Sequence, residues 1–257
     1  SNWGGRYGRA AMAPPLTAFG WDDHWSRRFD EVVGARAGVD EPIDGAEPGR
    51  VVRHDGAGLM VALAEGPVRA MFGPTVDPAP VVGDWVVVDR HRTPIATLPR
   101  DSLLRRRAAG GDHEQPLVAN VDLVLAVCGL DRPVRIGRLR RTMTLANDAG
   151  AESLVVLTKA DVVGPEVPAL AEVTVTEADP RLEVITLSAK GGWGIEDLLT
   201  RIGTRTVALI GENGAGKSTL VNALLADEVM LEGDVRGGDA KGRHTTTHRE
   251  LHLLPTG

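Results

Sequence analysis

Apolar positions along this chain follow three successive rhythms. Trp21, Trp25, Phe29 and Val33 recur every fourth residue behind Asp22 and Asp23. That is the spacing of one helix face, with acids suited to a helix start, and it predicts a short amphipathic helix packed on the next part of the chain. From about residue 49 to 99 the apolar runs shorten, with candidate strands at 50–53, 59–64, 68–72, 85–88 and 95–98. Asp55-Gly56, Glu65-Gly66-Pro67, Asp77-Pro78 and Gly83-Asp84 supply the turn chemistry between them. Five short strands in about fifty residues predict a small, nearly closed, all-β OB-like barrel.

The third rhythm begins at Val121. Residues 121–128 form an unbroken apolar run, as in a strand buried on both faces. Ile136, Leu139, Met143 and Ala146 then mark one face of a helix ending near Gly150. Further apolar strands are expected at 153–157, 184–187, 207–210 and 250–254. Strands alternating with helical stretches predict a mostly parallel α/β sheet covered on both faces. The expected division is an N-terminal extension over 1–47, the barrel over 48–107 and the α/β domain over 108–257.

Composition narrows the class. The 257 residues are 42% hydrophobic and 25% charged, which excludes wholesale disorder. No apolar run approaches the ~20 residues of a membrane span, so no membrane partner is expected. The start lacks a charged segment followed by an apolar one, so nothing reads as a secretory signal. A single cysteine, Cys128, can neither staple the chain nor build a structural zinc site. A reducing, cytoplasmic location is the expectation.

Net charge is −6, against a protein that coats nucleic acid everywhere. Yet residues 90–107 carry six arginines and one acid, and residues 132–141 five arginines and none. Such local basic stretches suit contact with RNA at chosen points, or simply solvated faces. Four lysines stand among twenty-nine basic residues: Lys159, Lys190, Lys217 and Lys241. Where arginine is the habitual cation, lysine marks places that need a compact ammonium or a slim stem.

Gly211-Glu212-Asn213-Gly214-Ala215-Gly216-Lys217-Ser218, with Thr219 after it, is a full phosphate-loop sequence between an apolar strand and an apolar helix. Its glycines let successive backbone N–H groups curl around phosphate oxygens. Lys217 is the residue to reach the β- and γ-phosphates, and the Ser218 hydroxyl the one to bind Mg²⁺. Upstream, Thr158-Lys159-Ala160-Asp161 follows a buried strand and resembles a guanine-reading N-K-x-D motif, with threonine for asparagine. An aspartate there accepts from guanine N1–H and N2–H₂, which adenine does not offer. Ser188-Ala189-Lys190 follows the next strand and resembles the S-A-K motif that meets guanine O6. Downstream, Gly242-Arg243-His244-Thr245-Thr246-Thr247 follows a polar, glycine-rich stretch. One of Thr245, Thr246 and Thr247, with Thr246 favoured, is expected to complete the Mg²⁺ shell as a switch threonine. His244 is a candidate to align the attacking water, beside its reading as a solvated loop histidine.

These motifs stand in the order guanine readers, phosphate loop, switch, which requires a circular permutation. With Val82-Gly83-Asp84 and Ala119-Asn120-Val121-Asp122, they resemble the ribosome small subunit-dependent GTPase A family from about Trp21 to the end. The resemblance implies a P-loop GTPase domain, circularly permuted, preceded by an OB barrel. It implies GTP hydrolysed to GDP with Mg²⁺, a role in late maturation of the small ribosomal subunit, and binding to that subunit and its ribosomal RNA. Arg100, Arg105, Arg106 and Arg107, at the barrel exit, are the candidate RNA contacts; a monomer is favoured. The family also implies a DxxG motif and a C-terminal zinc region. Beyond Thr247 the sequence runs to Pro255-Thr256-Gly257 with neither, so the GTPase domain is expected to be incomplete there. Two alternatives stay open: a P-loop ATPase, and an RNA-binding module that uses guanine nucleotide only as a conformational ligand.

Overall fold

The computed structural model describes residues 14–37, 45–54, 58–107, 114–226 and 249–255. They divide into two compact units. The first draws on Ser1–Asp101, Gln115–Asn120 and His244–Leu253, the second on Ser102–Glu114, Val121–Arg243 and Leu254–Gly257.

In the first unit, helix α1 (Asp23–Ala37) starts where the Asp22 carboxylate accepts the backbone N–H groups of His24 and Trp25, at 3.0 and 3.1 Å. That satisfies two of the donors every helix start leaves open. Its apolar face packs as the four-residue spacing predicts. Trp21 lies edge-on to Trp85 with ring centroids 4.8 Å apart, and Trp25 lies 6.1 Å from the same ring. Trp85 is fully buried, and the Arg50 guanidinium sits 4.8 Å from its centroid.

Five antiparallel strands come next, β1 (Glu47–His54), β2 (Leu59–Leu63), β3 (Gly66–Ala70), β4 (Trp85–Val88) and β5 (Pro94–Thr97). Their order is β3-β2-β1-β4-β5, an OB-like sheet. β3 begins two residues before the predicted 68–72 strand. Leu63 pairs directly with Gly66, so Ala64 and Glu65 make the whole turn and Pro67 enters an edge strand, where its missing N–H costs nothing. The predicted strand at 250–254 is corrected. Glu250 bridges Arg53, Leu251 N–H donates to Val52 at 2.7 Å, and no strand forms beyond them among the described residues. β4 already pairs along Glu47–Arg50, and the next β1 groups, at Val51, are taken by Gly83 and Asp84. Little strand edge remains there for the returning chain.

In the second unit four parallel strands, β8 (Leu123–Gly129), β9 (Glu152–Thr158), β10 (Val184–Thr186) and β11 (Val207–Gly211), take the order β10-β9-β8-β11. β6 (Leu103–Arg107) and β7 (Glu114–Ala119) precede them in the chain. Leu123, Leu125 and Val127 join a core with Leu198 and Ile202 of α4 (Ile195–Ile202) and Leu220 and Leu224 of α5 (Lys217–Leu225). Ala126, Val155 and Leu157 face the other way, against Leu139 of α2 (Ile136–Ala149) and Val175 of α3 (Glu166–Ala178). Alternate residues of one strand thus feed two cores, which is why β8 and β9 read as continuous apolar runs. At the start of the sheet Asp122 accepts the Thr206 N–H at 2.7 Å, tying the entry of β8 to that of β11.

Candidate nucleotide-binding site

Parallel strands deliver the loops at their carboxyl ends to one edge of the sheet, and that edge is where open α/β sheets hold ligands. Here four loops gather: the phosphate loop after β11, Gly129–Arg135 after β8, Thr158–Asp161 after β9 and Ser188–Lys190 after β10.

The phosphate loop must leave β11 hard against its neighbour. A Cβ at Gly211 would stand 2.3 Å from the Val127 carbonyl oxygen, so no larger residue fits. Gly216 turns the chain into α5 at φ +87°, a conformation glycine adopts without strain. The Lys217 ammonium donates to the carbonyls of Gly211 and Glu212, at 2.9 and 2.8 Å. Burial pushes that ammonium below its ordinary value, which favours a nearby anion. Ser218 and Thr219 occupy the first turn of α5 behind it.

The two loops that resemble guanine-reading motifs are tied to this cradle and to each other. Thr158 Oγ1 donates to the Ala215 carbonyl at 2.6 Å, so the residue that departs from the N-K-x-D pattern links base loop to phosphate loop with its hydroxyl. Lys159 takes a left-handed backbone, φ 64°, and its Nζ reaches Asp131 at 2.9 Å. Burial pushes Asp131 upward, but the hydrogen bonds and charges of Lys159 and Arg132 outweigh it and hold the carboxyl below its ordinary value. Ser188 Oγ donates to Asp161 Oδ1 at 2.6 Å and accepts the Gly191 N–H at 2.8 Å, which fixes the aspartate that would face the base. Ala189 packs against the core behind the sheet, and Lys190 comes directly after it on the same loop.

Sequence reasoning did not identify the surroundings of Glu212. Its carboxylate lies 2.7 Å from Arg138, 3.6 Å from Arg135 and 3.8 Å from Arg132. The arginine run was visible, but its partner stands at a position where a phosphate loop accepts any residue. Burial pushes the Cys128 thiol up, and the Glu212 charge adds to that.

Arg100 is reassigned. Its guanidinium forks onto both oxygens of the fully buried Asp84, each at 2.7 Å, and donates to the Ala79 carbonyl at 2.9 Å. A side chain so engaged, itself 12% exposed, is a brace of the first unit and is unavailable to RNA. Arg105 and Arg106 are exposed, Arg105 pairing with Glu114 at 3.2 Å. The side chain of Arg107 lies outside the described residues, as do His244, Thr245, Thr246 and Thr247.

The arrangement suits a nucleotide phosphate, with its open glycine turn and partly buried ammonium. Ser218 is the described residue that would hold Mg²⁺ there. Among the described residues no group of three or more His, Cys, Asp or Glu stands together to hold a metal ion. Among them too, no helix is long and apolar enough to cross a membrane.

A family model described as RsgA GTPase matches residues 97–257. A Streptomyces coelicolor protein named small ribosomal subunit biogenesis GTPase RsgA is 40% identical over 252 residues, 94% of this chain and 66% of its own length. A Vibrio parahaemolyticus RsgA 2 is 36% identical over 95% of this chain and 65% of its own, and a Xanthomonas oryzae pv. oryzae RsgA 38% over 95% and 68%. The chain therefore spans about two thirds of the length of these curated relatives. Among solved structures, YjeQ from Thermotoga maritima aligns over 69% of this chain and 64% of its own, with TM-score 0.56 at 23% identity. YloQ, described as a circularly permuted GTPase, covers 73% of this chain and 67% of its own, with TM-score 0.55 at 16% identity. These two share the fold of this chain. Matched by the family model over its α/β unit and by relatives over nearly its whole length, the chain belongs to the RsgA GTPase family.

Proposed function

We propose that this chain binds GTP and Mg²⁺ and hydrolyses GTP to GDP and phosphate on the small ribosomal subunit, acting in its late maturation with hydrolysis driving release. The observation that carries the reading is the union of three loops at one sheet edge. The Thr158 hydroxyl joins base loop to phosphate loop, and the Ser188 hydroxyl holds Asp161 in place for guanine. The relatives' names supply the partner, and ribosomal RNA is the part of it that the exposed Arg105 and Arg106, with Arg107 after them in sequence, would touch. We place the protein in the cytoplasm, as a monomer.

In the mechanism, Asp161 accepts the two guanine N–H donors and Lys159 lays its stem along the base, held by Asp131. Lys217 exchanges two carbonyl partners for phosphate oxygens; its ammonium, kept in a partly buried site, then faces the charge that builds on the transferring group. Ser218 would hold Mg²⁺, which when bound neutralises phosphate charge. Thr246 completing that shell and His244 aligning water belong to the same proposal.

The test is turnover of GTP and ATP side by side, with and without small ribosomal subunits. GTP hydrolysis stimulated by subunits is expected. Equal turnover of ATP would overturn the guanine reading, and unstimulated GTP turnover would overturn the ribosomal one.

A further inference from the structure

One cation at this sheet edge lies over the phosphate loop itself with no short contact to hold it there. Arg132 Nη1 reaches the Asn213 carbonyl at 3.4 Å. Its Nη2 lies 3.3 Å from where a Cβ would stand on Gly214, so the missing side chain at φ +78° is what admits the guanidinium. The nearby carboxylates are better matched elsewhere. Asp131 lies 2.9 Å from Lys159 but 3.3 Å from Arg132, and Glu212 lies 2.7 Å from Arg138 but 3.8 Å from Arg132. At 42% exposed, the Arg132 side chain can trade these partners for a stronger anion. Its backbone is restricted by contrast, because Pro133 follows directly and biases it toward extended conformations.

Two cations of different kinds therefore meet four consecutive residues of the loop. Lys217 takes the carbonyls of Gly211 and Glu212, and Arg132 lies at Asn213 and Gly214. The backbone of such a loop cradles the β- and γ-phosphates. A loose transition state for phosphoryl transfer gathers charge on the oxygen between those two phosphates and on the leaving β-phosphate. A cation fixed there opposes the transition state more strongly than the ground state feels it. A planar, permanently charged guanidinium also offers two donors to phosphate oxygens, where an ammonium is a point charge.

We propose that Arg132 is a further catalytic residue, an arginine supplied by the chain itself. With GTP bound, its guanidinium leaves Asp131 and the Asn213 carbonyl for the β-phosphate and the oxygen bridging it to the γ-phosphate. In the step, the oxygen of water bonds to the γ-phosphorus as the bond from that phosphorus to the bridging oxygen breaks. The electron pair stays on GDP, and a proton of the water ends on the departing phosphate. Arg132 offsets the charge that arrives on GDP. The proposal rests on the GTPase reading above, and the test separates the two.

The full chain is compared with Arg132→Ala and Arg132→Lys in single-turnover GTP hydrolysis with Mg²⁺. Subunits are left out at first, because an arginine in cis needs no partner, and are then added. In both conditions Arg132→Ala should hydrolyse GTP at least about a hundredfold more slowly than the parent. Its GDP affinity should stay within about threefold, since the contact strengthens only as charge develops. Arg132→Lys should recover less than about a tenth of the lost rate. Aluminium fluoride, which with GDP mimics the transferring group, should tighten GDP binding to the parent at least about tenfold and to Arg132→Ala not at all. An ion pair that merely shapes the loop would lower GDP affinity and hydrolysis together, or let lysine serve as well as arginine. Either result overturns the proposal, and so does a parent that aluminium fluoride leaves unchanged. Hydrolysis by Arg132→Ala within about threefold of the parent removes Arg132 from the chemistry and keeps the GTPase. A parent that binds GTP but turns none over, with or without subunits, removes the GTPase reading and the proposal together.

Discussion

Asp161 illustrates how much one hydroxyl decides. Ser188 donates to its Oδ1, so an asparagine there would keep its carbonyl oxygen on Ser188 and turn its amide N–H₂ toward the base. A donor in that place repels guanine N2–H₂ and suits xanthine, whose position 2 is a carbonyl. Asp161→Asn should therefore cost about 2–4 kcal/mol in GTP binding and favour the xanthine nucleotide, read by competitive titration of the two triphosphates. Undiminished GTP affinity would remove Asp161 from the site. The lysines were legible from sequence because the chain uses so few: Lys159, Lys190 and Lys217 all fall in nucleotide motifs. Arg100 was misread for the opposite reason. It stands in an arginine-rich stretch, and its partner Asp84 is a distant residue whose pairing leaves no mark on local pattern.

Among the elements, β4 and β5 are braced by that Asp84–Arg100 pair. Burial is the larger influence on Asp84 and pushes its carboxyl above the ordinary value, although Arg100 pulls the other way. A carboxyl raised in the folded state binds protons more readily there than in the unfolded chain. Its contribution is most favourable at low pH and is lost as pH rises from its ordinary value through the raised one. Arg100→Ala removes the opposing cation and raises that carboxyl further. The variant should lose about 3–5 kcal/mol at neutral pH and recover part of it at acid pH, as Asp84 takes a proton. Denaturant unfolding at both pH values measures this; a loss independent of pH would show that packing and not charge is at stake. Strand and helix identities were readable because β8 and β9, buried on both faces, read as continuous apolar runs while α2 keeps one apolar face. The ends were not: β3 starts early because a two-residue turn sets its register, and 250–254 stays irregular because the β1 edge there is already taken.

At the scale of the molecule, a net charge of −6 coexists with arginine-rich surface at chosen places. Arg105 and Arg106 lie exposed on β6. Replacing Arg105, Arg106 and Arg107 together with alanine should weaken subunit binding and lower its salt slope by about 2–2.7. Binding titrations over a range of salt concentrations, in GTP-analogue and GDP states, measure both. An unchanged affinity and slope would mean these arginines merely solvate a connection between units. Architecture and motif order were open to reading from sequence, because a parallel sheet writes its loops in strand order. The Glu212 cluster was not, since it depends on β11 lying beside β8.

That adjacency has a consequence for how the protein is made. Synthesis runs from the N-terminus, and domains form as the chain emerges. β8, β9 and β10 are complete before β11 exists, so the Thr158–Asp161 and Ser188–Lys190 loops can assemble on the nascent chain while the phosphate loop is still inside the ribosome. Until β11 arrives, one edge of the apolar strand β8 is unpaired, the kind of edge that invites wrong partners. The strand that brings the phosphate loop also seals that edge, and of the four described strands of this sheet the last to be synthesised is the one that carries the phosphate loop.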